Sequence, residues 1–269
     1  MANREYFKSL AQETLSIVSA GQYTYGNKTV KLFVPFRNIY HKDFEISNKI
    51  LEGKQTYKET KYCVKNESVV KTIHDLRDHK LSLGVLNFAS AYHPGGGFLN
   101  GAIAQEEVLA YCSNLYDTLS SEQAPSYYKN NKEANSNTYT DGLIITNNIF
   151  FRDEKYNLVF SPSVCTVVTC PAVNMNIVLR AKDNVEEAKK IMKNRMRKVL
   201  YAFIDADCTN IIIGAWGCGV FKNDPEDIAS AWYELLVEEC LEKYFKSITF
   251  TVLDKKEGTN INPFIKHFR

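Results

Sequence analysis

Gln105-Glu106-Glu107 is the densest acid/base cluster in this sequence, and it stands where chemistry could use it. Two adjacent carboxyls can supply and remove a proton at one bond, provided a pocket holds a substrate beside them. The tripeptide opens a strongly patterned helix. On a helix, neighbouring side chains point about 100° apart, so the two carboxylates cannot do the same job. One can face a ligand while the other bonds sideways. The simpler alternative is a solvated first turn, since the helix dipole favours acidic residues there.

What precedes the tripeptide weighs against that alternative. Leu83 to Phe88 is an apolar run, followed by Ala89-Ser90-Ala91-Tyr92-His93-Pro94 and then Gly95-Gly96-Gly97. A second segment, Ile213-Gly-Ala-Trp-Gly-Cys-Gly-Val-Phe-Lys-Asn-Asp-Pro225, has the same order of buried strand, glycine loop and helix start. Each loop alone could be a plain turn. Together they suit an anion: glycine lets backbone N–H groups approach it, and a helix N-terminus adds favourable partial charge. In open α/β sheets such loops gather at the carboxyl ends of strands, where ligands bind. Neither loop fits GxxxxGK[ST] or GxGxxG, which removes support for the common nucleotide motifs.

The elements that must position these loops alternate between helix and strand. Apolar spacing predicts helices over 4–19, 69–76, 104–119, 185–203 and 228–245. It predicts strands over 28–34, 81–88, 143–151, 164–170, 210–214 and 247–253. The polar stretch from Ser126 to Asp141 reads as a solvated helix and a loop. The pattern predicts an α/β protein with helices sandwiching a mixed sheet. The 269 residues suit one catalytic domain, 1–269, with residues 1–60 as an N-terminal extension packed on it.

Composition narrows the function. Lys plus Arg is 33 and Asp plus Glu is 31, a net charge of +2, which argues against a broad nucleic-acid footprint. The seven Cys form no CxxC and the five His form no HExxH, so no zinc site or disulfide framework is expected. The Cys read as small buried residues of a reducing compartment. No apolar run approaches a membrane span, and Met1 to Glu5 carries no signal-peptide core. A cytoplasmic monomer without metal or cofactor is the expectation.

Gly95-Gly96-Gly97, seven residues, then Gln105-Glu106-Glu107 resembles the catalytic loop of poly(ADP-ribose) glycohydrolases, in the bacterial-type form. Asn87-Phe88-Ala89-Ser90 is similar to the strand end that leads into it, and Gly214 to Phe221 to the family's diphosphate loop. Ala11 to Ile17, Gly21 to Tyr23 and Val167 to Asn174 also resemble that family, so the likeness spans nearly the whole chain. It implies a macrodomain-like three-layer α/β/α sandwich. It implies metal-free hydrolysis of the ribose–ribose bond of poly(ADP-ribose) from the chain end, with ADP-ribose as product. Carried over, Glu107 is the catalytic acid and Glu106 orients the scissile ribose. Gln105, Asn87, Ser90, Gly95, Gly96, Gly97, Gly217, Gly219, Val220 and Phe221 are the implied substrate-binding residues. Ser90 departs from the Asn that many macrodomains carry there, which puts the detailed ribose contacts in question.

In the expected mechanism Glu107 gains its proton through burial and the nearby negative charges, while Glu106 stays ionised. Other residues are expected to be bland. His93 is a structural or solvent-facing loop residue, Cys218 and Trp216 are packing residues, and the basic run from Lys189 to Lys198 is a solvated face. Two alternatives keep the pocket and change the outcome. One is a non-catalytic ADP-ribose reader, against which the two glutamates argue. The other is a hydrolase that removes single ADP-ribose units from protein or nucleic acid.

Overall fold

The computed structural model describes residues 4–34, 37–77, 82–121, 124–254 and 258–269. Its first half runs α1 (Arg4–Ala20), β1 (Gln22–Tyr25), β2 (Lys28–Lys31), β3 (Asn38–His41), α2 (Asn48–Leu51), β4 (Lys61–Lys65), α3 (Val69–Asp75) and β5 (Leu83–Phe88). It continues with α4 (Gln105–Cys112), α5 (Leu115–Ser120), α6 (Pro125–Glu133), β6 (Leu143–Arg152) and β7 (Leu158–Cys170). The last part is α7 (Met175–Ala181), α8 (Val185–Asp205), β8 (Asn210–Ile213), α9 (Pro225–Tyr233), β9 (Ser247–Thr251) and α10 (Asn262–Phe268).

Seven strands form one mixed sheet in the order β3-β6-β7-β5-β8-β9-β4. β3, β6 and β7 pair antiparallel, and β7, β5, β8, β9 and β4 pair parallel. Alternation along the strands feeds a core on each face. In β8, Ile211 and Ile213 join the core under α7 to α10, whereas Ile212 joins the core under α1 and α3 to α6. Val85 and Leu86 of β5 divide in the same way. This is the expected α/β/α sandwich. Helix α8 lies so close to the sheet that a Cβ on Gly84 would fall 2.6 Å from the Phe203 ring. β5 and β8 are neighbours in the sheet, with Val85 opposite Ile212, so the two glycine loops leave the same edge side by side.

Several expectations are corrected. The helix expected over 104–119 is two helices. Ser113 is extended (φ −148°) and bridges to Phe150, while Asn114 Oδ1 accepts the Ile149 N–H at 2.9 Å. Short polar side chains that bond the backbone compete with the helix there, although the apolar stripe continues through Leu115 and Leu119. The helix expected over 228–245 starts at Pro225, capped by Asp224, and after Tyr233 turns through Glu234–Glu238 with π geometry. The strand expected over 28–34 ends at Lys31 and forms a hairpin with β1. The first 60 residues also supply the sheet's edge strand β3. Leu81, at the start of an expected strand, and Met1 to Asn3 lie outside the described residues.

The basic run on α8 is also not wholly solvated. Arg195 is fully buried and donates to Asp141 Oδ1 (3.0 Å), Pro171 O (3.0 Å) and Thr138 O (2.8 Å). Lys198 is buried too, against Asp43 and Asp141. Within the stretch from Ser126 to Asp141, Tyr127, Tyr128 and Asn131 of α6 are buried as well. Among the described residues, no helix is long and apolar enough to cross a membrane.

Candidate active site

A pocket of about 720 Å³ opens where the loops after β5 and β8 meet the first turn of α4. Its size suits a ligand of nucleotide dimensions. Ser90, Gly96, Gly97, Gln105, Glu106, Glu107, Gly217, Gly219, Val220 and Phe221 all line it. Ten of the residues singled out from sequence therefore meet around one space. Asn87 and Gly95 stand behind the wall.

The first loop is shaped to bring two glutamates to one point. Gly96 has φ +61°, and a Cβ there would lie 3.0 Å from Glu106 Oε2 and inside van der Waals contact with Glu107 Oε1. Glycine is thus required both by the left-handed backbone and by the carboxylates. Gly95 (φ +61°) is needed for a different reason, since a Cβ would press on the Tyr116 ring at 3.0 Å. The turn after the loop is held from below. Tyr111 donates its hydroxyl to Phe98 O and Ala102 O, both at 3.0 Å, and Gly101 lies against the backbone of Arg4 at the start of α1.

The two glutamates share a helix turn but have different partners. Glu107 Oε1 accepts the Gly97 N–H at 2.8 Å, and Oε2 accepts the Ala104 N–H at 2.9 Å. It supplies the cap that Ala104 cannot. Glu106 Oε2 accepts the Ser90 N–H at 2.7 Å, and Oε1 accepts from Asn87 Nδ2 at 3.2 Å. Burial pushes the Glu106 carboxyl up to about 8, against the N–H of Ser90, and the charge of Glu107 adds to the rise. Burial thus works against the expectation that Glu106 stays ionised.

Three other expected substrate contacts have work inside the protein. Gln105 clamps α4 to the end of β5: its Oε1 accepts the Phe88 N–H at 2.9 Å and its Nε2 donates to Leu86 O at 2.8 Å. Asn87 is fully buried and bridges Glu106 to Thr169 Oγ1 (3.2 Å). It touches Glu106 and does not line the pocket. The Ser90 hydroxyl oxygen accepts the N–H groups of Tyr92 (3.2 Å) and His93 (3.1 Å), which closes the turn.

In the second loop the glycines separate by cause. Gly217 (φ +79°) packs against Ala172, whose Cβ would be 2.7 Å from an added one, and against Asn223. Gly219 has nothing within 4 Å of such a Cβ, so any demand for glycine there comes from a ligand. Val220 is 77% exposed at the rim, and Phe221 stands against the Tyr139 ring at 6.1 Å. Trp216 is the buried anchor, stacked on Trp232 at 6.4 Å. Burial lifts the Cys218 thiol to about 12, which fits a packing role. His93 is exposed on the pocket rim. Sequence reasoning missed Tyr116 and Thr169, which support the first loop from other elements, and Asn223, which braces the second loop from its own end. The buried Asn223, six residues after Gly217, offered the one local clue; its Nδ2 donates to Val173 O at 2.8 Å.

Residues 11–153 match the family described as microbial-type PARG, catalytic domain. The chain is similar to the crystal structure of poly(ADP-ribose) glycohydrolase (PARG) from Thermomonospora curvata, at 31% identity and a TM-score of 0.88, over 98% of this chain and 100% of that one. The same enzyme bound to the inhibitor ADP-HPD aligns at 30% identity and a TM-score of 0.80, with the same coverage. The Deinococcus radiodurans enzyme in complex with ADP-ribose aligns at 36% identity and a TM-score of 0.77, over 82% of this chain and 88% of that one. No curated protein matches the sequence.

Proposed function

The chain belongs to the microbial-type PARG family and is a glycoside hydrolase, and on that basis we propose that it releases ADP-ribose from the end of poly(ADP-ribose) by hydrolysing the ribose–ribose bond. The observation that carries this reading is the convergence of Glu106 and Glu107 on Gly96 inside the pocket between the two glycine loops. A reader of ADP-ribose has no use for paired carboxyls beside the ribose. The relatives crystallised with ADP-ribose and with ADP-HPD support the ligand class.

In this reading the diphosphate lies on the backbone of the Gly217 to Phe221 loop, and the terminal ribose lies between Phe221 and Gly96. Uncharged N–H groups hold the anion, so a chain with a net charge of only +2 can grip one unit of a polyanion. The burial that raises the Glu106 carboxyl supplies this site with a proton. Ribose hydroxyls that donate to Glu106 favour its carboxylate and leave the proton to Glu107, which the substrate seals from water. Glu107 protonates the leaving ribose oxygen as the glycosidic bond lengthens toward an oxocarbenium-like state. The resulting Glu107 carboxylate then removes a proton from the attacking water. Gln105 and Asn87 hold the pair in place, and much of the rate comes from that positioning.

The chemistry needs no metal, because the carboxyl pair supplies and recovers the proton. The seven unbridged Cys fit a reducing cytoplasm, and a single copy of the chain contains every residue used. The test offers labelled poly(ADP-ribose), mono-ADP-ribosylated protein and mono-ADP-ribosylated DNA in parallel. Release of free ADP-ribose from the polymer alone is the expected result. Release only from a mono-modified carrier would reassign the substrate, and tight ADP-ribose binding without any release would make the protein a reader.

A further inference from the structure

The groove continues past the carboxylates. Two smaller cavities, of about 280 and 570 Å³, adjoin the main pocket, and all three share His93. The turn that carries His93 begins at Ser90, the residue whose N–H holds Glu106 and whose hydroxyl accepts the His93 N–H. The extra space therefore starts at the carboxylate end of the pocket. Its far wall is α6. Lys132 borders both added cavities and makes no ion pair among the described residues, while Lys129 borders the larger one, 3.7 Å from Glu133. Both lysines are exposed. Tyr92 lines both cavities from the loop side.

An aromatic ring beside exposed ammonium groups matches the chemistry of a nucleoside diphosphate, with a base on the ring and phosphates near the lysines. Cleavage at the chain end also requires a path for the rest of the polymer, which stays joined to the terminal ribose until the carboxylates act. We propose that the groove bounded by Tyr92, Lys129 and Lys132 is a subsite for the penultimate ADP-ribose unit of the polymer. This rests on the reading of the protein as an enzyme that cleaves from the chain end.

The test compares wild type with the double variant Lys129→Glu/Lys132→Glu and with a charge-matched control, Lys31→Glu/Lys61→Glu, on the hairpin and the opposite sheet edge. Steady-state kinetics on poly(ADP-ribose) of defined length give KM and kcat, and calorimetry gives the Kd for free ADP-ribose. The groove variant is expected to raise KM about tenfold, to leave kcat and the ADP-ribose Kd unchanged, and to flatten the salt dependence of KM. An unchanged KM overturns the proposal. So does an equal rise in the control, or a parallel rise in the ADP-ribose Kd, which would place the effect in the terminal site. Wild type that releases no ADP-ribose defeats the functional reading instead. Weaker binding of uncleaved polymer to the groove variant than to the control would then still support the subsite, and equal binding would overturn it.

Discussion

Glu107 Oε1 accepts the Gly97 N–H at 2.8 Å, so the last residue of the triple glycine is tied to the first turn of the helix that follows it. With Oε2 on Ala104, the side chain is fixed at both oxygens before any substrate arrives. In the proposed mechanism Glu107 is the proton donor, and fixing it in this way lowers the entropy cost of reaching the transition state. Glu107→Gln keeps the shape but cannot carry the proton and cannot accept at both ends. Hydrolysis should fall by about 10²- to 10⁴-fold with ADP-ribose affinity largely kept. Stability should drop by about 1–3 kcal/mol, because one backbone N–H loses its acceptor. Single-turnover kinetics, calorimetry and thermal melts check the three parts.

Glu106 makes activity and stability depend on pH in a stated direction. Its carboxyl is raised to about 8 by burial, so the native protein holds a proton that the unfolded chain releases near its ordinary value of 4.5. The stabilisation linked to that proton is complete below the unfolded value and is lost as pH rises through about 8. Glu106→Gln removes the titration. The melting temperature of the variant relative to wild type should rise between about pH 5 and about pH 8 and level off above. In wild type, kcat/KM should fall as pH climbs through the same upper value, because Glu106 then holds no proton to pass to Glu107 in the proposed mechanism. A flat difference in melting temperature across this range would show that Glu106 is not the buried proton carrier.

Two glycines of the second loop should respond oppositely to one methyl group. Gly217→Ala forces a Cβ to 2.7 Å from that of Ala172 at φ +79°, and should cost about 1–3 kcal/mol of stability. Gly219→Ala meets no protein atom within 4 Å. It should change stability by no more than about 0.5 kcal/mol, yet weaken ADP-ribose binding about tenfold or more, because in the proposed pose the methyl stands where the diphosphate approaches the backbone. Thermal melts and calorimetry on the pair separate a loop needed for folding from one needed for the ligand.

Arg195 is a prediction about the frame. Burial pushes the Asp141 carboxyl upward, but Arg195 and Lys198 outweigh it and hold the group below the ordinary carboxylate range. Arg195→Met removes the larger partner, leaves Asp141 with Lys198 only, and orphans the carbonyls of Pro171 and Thr138. A loss of about 3 kcal/mol is expected by denaturant unfolding. Because the hydrogen-bond partners of Arg195 are Asp141, Pro171 and Thr138, outside the two glycine loops, kcat on polymer at low temperature should stay near that of wild type.

Legibility followed the range of the interaction. The helix over 4–19, the strands bearing the two loops and the inner face of α8 repeat at periods set by local geometry, and they appear almost where the spacing puts them. The break at Ser113 was hidden because the apolar stripe runs through it. Only the partners Phe150 and Ile149, far along the chain, show that Ser113 and Asn114 leave the helix to bond a strand. Arg195 was read as one more surface cation in a basic run, since charge patterning on a helix does not show which residue faces a buried carbonyl.

By itself the amino-acid sequence determined the chemistry available: two glycine loops after buried strands, a glutamate pair at a helix start and no zinc-ligand spacing. Those are properties of residue type and local order. The tertiary structure alone decided how the surroundings of the two carboxyls differ. Burial raises the Glu106 carboxyl against the pull of the Ser90 N–H, and Glu107 is fixed by N–H groups of the loop and the helix start. Desolvation depends on what the whole chain packs around a group, and no spacing in the sequence encodes that directly.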